Sequence, residues 1–252
     1  VAERTPLVFV HGNPENAAVW GPLLSELDRA DAFLVSPPGF GAPIPSGFDV
    51  SATGYRFWLA SQLEAFGRPV DLVGHDWGGA HTVQIAMTRP DLLRSWVSDG
   101  LGVYSPDYVW HPLAQTWQTP EKGEELVAQL FEGTLTERLA VVDGLGMHGP
   151  TGERIAAGLD AEMSRAVLSL LRSAAQPFMS DAGRGLPNAA TRPGLSLIAG
   201  ADDGNGTAAM HRWAADQAGA KVVVLEGLGH WWPVENPVPA AAALREFWST
   251  LD

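Results

Sequence analysis

The chain is 252 residues long, enough to bury one sizeable core; its formal charge of −13, its sequence pI near 4.8 and the lack of any basic run exclude nucleic acid as a partner. It has no cysteine, which excludes disulfides and thiolate metal sites, and histidines 11, 75, 81, 111, 148, 211 and 230 show no ligand spacing, so no metal or other cofactor is expected. No apolar run is long enough to cross a bilayer and the first residues lack a signal-peptide pattern, so no membrane partner and a cytoplasmic location are expected, while oligomeric state is not legible.

Leu7-Val8-Phe9-Val10 reads as a short buried strand that ends in His11-Gly12-Asn13-Pro14, ahead of a helix-like stretch from about Ala17 to Leu27. Residues 32–35 read as a second strand, stopped by Ser36-Pro37-Pro38-Gly39-Phe40-Gly41, and 51–66 as a helix with apolar positions at 55, 58, 59, 63 and 66. A strand at 70–73 leads into Gly74-His75-Asp76-Trp77-Gly78-Gly79 and then a helix. Strand, small-residue turn and helix in that order present one side chain on a strained turn above a sheet. Here that side chain is Asp76. Taken alone, the hexapeptide also fits a Gly-rich turn with a capping Asp.

Residues 95–98 read as a strand that ends at Asp99. The alternation then breaks: helical patches at 123–131, 134–143 and 160–175 fill the segment up to Arg192, with no strand among them. It resumes with strand 195–199, helix 207–217, strand 221–225 and a last helix from about 239 to 251. The fold class is therefore α/β, a mainly parallel sheet flanked by helices. Residues 1–102 and 193–252 form the expected core, and 103–192 a helical lid inserted into it that walls an apolar pocket.

Gly229-His230 follows the last strand, where His230 can reach back over the sheet, and chain order links it to Asp76. A nucleophile first, an acid next and a histidine last is the order of a hydrolytic triad on such sheets. Asp76, then Asp99 or Asp203, then His230 obey it. Singly, a loop histidine is commonly a packing residue, and Asp99 and Asp203 serve equally as turn or capping residues. Of the ten tryptophans, Trp110, Trp117, Trp231 and Trp232 lie near these segments, and core or lid packing is their plainest role.

His11-Gly12-Asn13-Pro14, Pro38-Gly39-Phe40-Gly41, the hexapeptide around Asp76 and Gly229-His230 together resemble the α/β-hydrolases of the aspartate-nucleophile branch: haloalkane dehalogenases, epoxide hydrolases and fluoroacetate dehalogenases. The resemblance implies that Asp76 displaces a leaving group from a saturated carbon, forming an alkyl ester that His230-activated water hydrolyses. It favours Asp203, placed after the penultimate strand, over Asp99 as the acid, with Asp202 a weaker third candidate. It also places the backbone N–H groups of Asn13 and Trp77 at the oxyanion, and the Asn13 side chain and Trp77 indole at a departing halide. An epoxide's alkoxide instead needs a proton donor on the lid, for which Tyr104, Tyr108, His111 and His148 are the candidates. Trp77 stands where fluoroacetate dehalogenases carry Arg, so a small charged acid is the least expected substrate. The expected activity is that of a haloalkane dehalogenase using water and a small apolar organic substrate. The alternatives are an epoxide hydrolase and, from another class, a non-catalytic binding module on a hydrolase fold. Family members usually carry two strands ahead of the one ending in His-Gly, whereas six residues precede Leu7, so a shortened sheet or a truncated chain is expected.

Overall fold

In the computed structural model, which describes residues 4–202 and 204–251, six strands form one sheet in the order β2-β1-β3-β4-β5-β6. They are β1 (Leu7–Val10), β2 (Phe33–Val35), β3 (Val70–Gly74), β4 (Leu93–Ser98), β5 (Gly194–Ala199) and β6 (Lys221–Leu225), and every neighbouring pair is parallel. β1 and β3 are buried along their whole length, which explains their almost unbroken apolar runs. The exception is Asp71 in β3, whose carboxylate is compensated by Arg94 at 2.6 Å and by the Ser95 hydroxyl at 2.6 Å.

The chain leaves β1 in one direction to β2 and then returns past it to β3, β4, β5 and β6. Right-handed crossovers therefore put α1 (Gly21–Leu27) on one face and α2 (Ala52–Glu64), α3 (Trp77–Thr88) and α11 (Ala208–Gln217) on the other. The short α12 (Trp232–Glu235) and the closing helix α13 (Val238–Ser249) pack with α1, and α2 packs with α3. Because the strand order reverses between β1 and β3, the loops leaving their carboxyl ends lie side by side and open a crevice there. Val10 is paired with Gly74, and His75 N–H donates to Val10 O at 3.1 Å. The turns after His11 and before Trp77 thus meet.

Between β4 and β5 lie α4 (Pro112–Gln118), α5 (Lys122–Phe131), α6 (Leu135–Gly144), α7 (Gly149–Ala157), α8 (Ala161–Ser173), α9 (Phe178–Gly183) and α10 (Leu186–Ala189). The sequence pattern anticipates α5, α6 and α8. It passes over the shorter helices, although α4 and α7 carry proline in the first turn, where its missing N–H costs nothing. α6 begins with a reciprocal capping box between Thr134 and Glu137, and α8 with Asp160 accepting from Met163 N–H. The segment assigned to the lid from sequence is not one layer. α9 and α10 pack down on the core, α10 against α3, and the Trp96 indole donates to Ala189 O at 3.3 Å. Of the remaining lid helices, α8 is tied to the core by Ser169 Oγ donating to Val50 O and Ser173 Oγ accepting from Ala52 N–H, and α7 by Asn16 Nδ2 donating to Arg154 O. No helix among the described residues is long and apolar enough to cross a membrane.

Candidate active site

Asp76 stands between β3 and α3 with φ 53° and ψ −125°, outside the regions open to an ordinary L-residue. Such a conformation costs about 1–3 kcal/mol and persists only where the surroundings impose it. Two glycines make the turn possible. A Cβ on Gly12 would lie 2.0 Å from Asp76 Oδ1, and one on Gly78 would lie 2.1 Å from Val10 O, so both positions need the bare backbone. The carboxylate consequently sits at the N-terminus of α3, where the helix field favours an anion.

The two oxygens of Asp76 have different neighbours. Oδ1 accepts the Asn13 backbone N–H at 2.8 Å. Oδ2 lies 3.4 Å from His230 Nε2. On the far side of the imidazole, Nδ1 meets Asp202 Oδ2 at 2.9 Å, and Asp202 is itself held by Gly204 N–H at 2.8 Å. This geometry fixes the imidazole proton on Nδ1, pointing at Asp202. Burial opposes the charge on all three groups, but mutual attraction outweighs it. His230 is raised well above an ordinary histidine, with Asp202 and Asp76 the cause; Asp76 is lowered by His230 and His75, and Asp202 to about 2, chiefly by His230.

The carboxylate on His230 is thus Asp202, the weakest of the three sequence candidates. Asp203, the preferred one, lies outside the described residues. Asp99, the other, is engaged beneath the elbow: Oδ1 accepts the Asp76 backbone N–H at 2.9 Å, and Oδ2 faces His75 Nδ1 at 2.5 Å and the Trp232 indole N–H at 2.7 Å. It directly follows β4, next to β3, and its two oxygens are taken up by the Asp76 N–H, His75 and Trp232, with none on the His230 ring.

His75 and Glu15 complete this lower layer, and neither was singled out from sequence. Glu15 is fully buried, with Oε1 accepting Gly12 N–H at 2.5 Å and Oε2 3.8 Å from His75 Nε2. Burial pushes its carboxyl up to about 7. Burial pulls His75 the other way, but Asp99 and Glu15 more than compensate, and its pKa ends above the usual value.

Above Asp76 the surroundings change. A cavity of about 200 Å³ opens in front of Asp76 and His230, walled by Trp77, Trp110, Leu113, Trp117, Leu171 and Trp231, with Asn13, His111 and Asn205 as its polar members beside the triad. Trp110 from the lid stacks on Trp77, ring centres 5.8 Å apart and planes 20° apart. Asn13 Nδ2 and the indole N–H groups of Trp110 and Trp117 are buried and have no hydrogen-bond partner among the described residues.

The four lid donors expected from sequence are dispersed. Tyr104 donates to Ala80 O at 2.7 Å and Tyr108 to Gly204 O at 2.9 Å, so both hydroxyl protons are committed to backbone. His148 is exposed and pairs with Asp143. His111 alone of the four lines the cavity. Its Nδ1 accepts from Ala114 N–H at 3.3 Å as the cap of α4, which leaves the ring proton on Nε2, and burial lowers its pKa so that the ring stays neutral.

Residues 7–244 match the family model described as the alpha/beta hydrolase family. The chain belongs to the alpha/beta hydrolase family. Among curated relatives, this hydrolase is 35% identical over 95 residues to the pimeloyl-[acyl-carrier protein] methyl ester esterase of Aeromonas salmonicida, a match over 36% of each chain. It thus spans about a third of that relative's length. A putative epoxide hydrolase from Pseudomonas aeruginosa superposes with a TM-score of 0.74 at 19% identity, covering 99% of this chain and 90% of that one. Haloalkane dehalogenase DbeA from Bradyrhizobium elkani does so with a TM-score of 0.70 at 17% identity, covering 99% and 93%. At such identities the likeness shows the shared fold alone.

Proposed function

We propose that this hydrolase cleaves a carbon–halogen bond in a small apolar substrate through a covalent ester on Asp76. The carrying observation is the unequal setting of the two Asp76 oxygens, Oδ1 on the Asn13 N–H at 2.8 Å and Oδ2 paired only with His230 Nε2, at 3.4 Å, among the described residues. Oδ2 attacks the saturated carbon, the carbon–oxygen bond forms and the halide leaves with the electron pair of the broken bond. Water deprotonated by His230 then attacks the carboxyl carbon of Asp76. Negative charge gathers on the oxygen at Asn13 N–H, and collapse returns the carboxylate and releases the alcohol, protonated by His230. The sum is alkyl halide plus water to alcohol, halide and a proton. Attack by Asp76 on a carboxylic ester would give an anhydride instead, which weighs against the esterase reaction named for the Aeromonas relative.

The resting electrostatics fit this order of steps. In the free enzyme the negative charge of Asp76 holds up the pKa of His230. Ester formation removes that charge, so His230 loses its proton more readily just when a base is needed. The unpaired donors of Asn13, Trp110 and Trp117 beside an otherwise apolar cavity suit a bare anion, since a buried donor left empty costs about 1–3 kcal/mol.

A second reading rests on His111, whose Nε2–H is available beside the cavity and fits protonation of an epoxide oxygen. One experiment separates the readings. His230→Ala is exposed to haloalkanes and to epoxides, and the intact mass is measured. The expected gain is an alkyl group without halogen, lost in Asp76→Asn. A gain of the whole epoxide would replace the first reading by the second, and no gain with either panel would favour a binding module.

A further inference from the structure

A second hollow lies against the outer side of His230. It is an open cleft of about 580 Å³ between the turn joining α6 to α7 and the loop carrying His230, with His148 and Glu235 among its walls. Leu145, His230 and Trp231 line both this cleft and the inner cavity, and so form the partition between them. Two of the three are held in place. His230 is fixed by Asp202 at 2.9 Å, and Trp231 is buried with its ring edge-on to His230 and His75, centres 4.6 and 5.5 Å away. Leu145 is half-buried and ends α6 between Gly144 and Gly146. A Cβ on either glycine, or on Gly149 beyond them, would meet no atom within 4 Å. A leucine without packed neighbours on its flanking backbone changes rotamer far more readily than a stacked indole or a hydrogen-bonded imidazole.

We infer that Leu145 closes the passage by which an apolar substrate reaches the inner cavity, and that its side chain sets the length of substrate admitted. The inference rests on the reading of Asp76 as nucleophile for its consequence in turnover, but the passage itself does not. Widening the partition at Leu145 speeds long substrates more than short ones; plugging it slows all of them, long ones most.

The absence of cysteine gives a clean test, because Leu145→Cys introduces the sole thiol. In a Leu145→Cys, His230→Gln protein, whose glutamine keeps a side chain in this wall of the partition but cannot serve as base, the thiol is capped after folding with a methylthio or a benzylthio group, so that neither form reacts with alkyl halides at sulfur. Two rates are compared: Asp76 ester formation with 1-bromopropane and 1-bromohexane, and association of iodobenzene, which cannot undergo displacement, followed by quenching of tryptophan fluorescence. The expected result is that benzylthio lowers both rates at least tenfold relative to methylthio, the hexyl rate more than the propyl, with recovery on reduction of the disulfide. Equal iodobenzene rates for the two caps would overturn the inference. A slowed association without ester in either form would uphold the passage and sink the nucleophile reading instead.

Discussion

The two sides of Asp76 are built on opposite rules. Below it, Glu15, His75, Asp99 and Trp232 form a closed layer in which Asp99 faces a ring nitrogen, an indole N–H and the Asp76 backbone. Above it, Asn13 Nδ2 and two indole N–H groups stay unpaired beside an apolar cavity. Groups below face one another and the strained turn, even where Glu15 Oε2 and His75 Nε2 stand 3.8 Å apart without a hydrogen bond, and donors above are left for something that is not protein. Polarity around a reactive group therefore says little until its partners are counted.

Asp202→Asn leaves His230 in place but removes the charge that stabilises its imidazolium, so hydrolysis of the Asp76 ester should slow by about 10²- to 10⁴-fold. In single-turnover experiments the ester accumulates, while the denaturation midpoint moves little. Asp99→Ala should do the reverse, leaving the buried His75 ring, the Trp232 indole N–H and the Asp76 N–H without their shared acceptor. A cost of about 3–5 kcal/mol is expected for breaking a buried pair, read by urea unfolding. If Asp99→Ala left stability unchanged, the lower layer would not be the support described.

Glu15 tests the lower layer through pH. Its carboxyl is raised from 4.5 to about 7 in the folded chain. A raised folded pKa means that its contribution to stability is full below about pH 4.5 and is lost as pH climbs through about 7. Glu15→Gln has no such titration, so its stability relative to the parent should rise by up to about 3 kcal/mol between pH 4.5 and pH 8, checked by urea midpoints at both pH values. On the upper side, Asp76 titrates below its ordinary 3.8 and His230 well above its ordinary 6.5. Acidification from neutral pH should thus slow ester hydrolysis while ester formation persists to about pH 4, seen as rising adduct mass in quenched turnover. The smallest effect is expected of Tyr108→Phe. It removes the bond to Gly204 O without touching the cavity, at a cost of about 1 kcal/mol, with rates within about twofold.

Much of this was legible in the residues. The apolar runs of β1 and β3 and the glycines around Asp76 mark the sheet and its elbow, because burial on both faces and a turn without side chains each demand a narrow composition. The pairing of His230 was not legible. Asp202 and Asp203 are adjacent in sequence and chemically the same, whereas the placing of Asp202 beside His230 depends on a backbone detail, the Gly204 N–H bond to Asp202. Asp99 sits at a strand end with the right sequence order, but neighbouring strands give it to His75. Glu15 looks like any acidic residue near a helix start, and only packing reveals that it is sealed from water. The orphan N–H groups of Trp110 and Trp117 have no sequence signature, since a packed indole and a donor to a ligand are the same residue.

The bond from Asn16 Nδ2 to Arg154 O, 3.1 Å long, joins the loop that supplies the Asn13 N–H to helix α7 of the lid. The lid is therefore not a detachable module. A chimaera that takes its lid from another hydrolase inherits a different carbonyl, or none, opposite Asn16. The grafted lid would then reset the loop beneath it, and substrate range and the stability of the bound oxyanion would change together even if every residue of the core were kept.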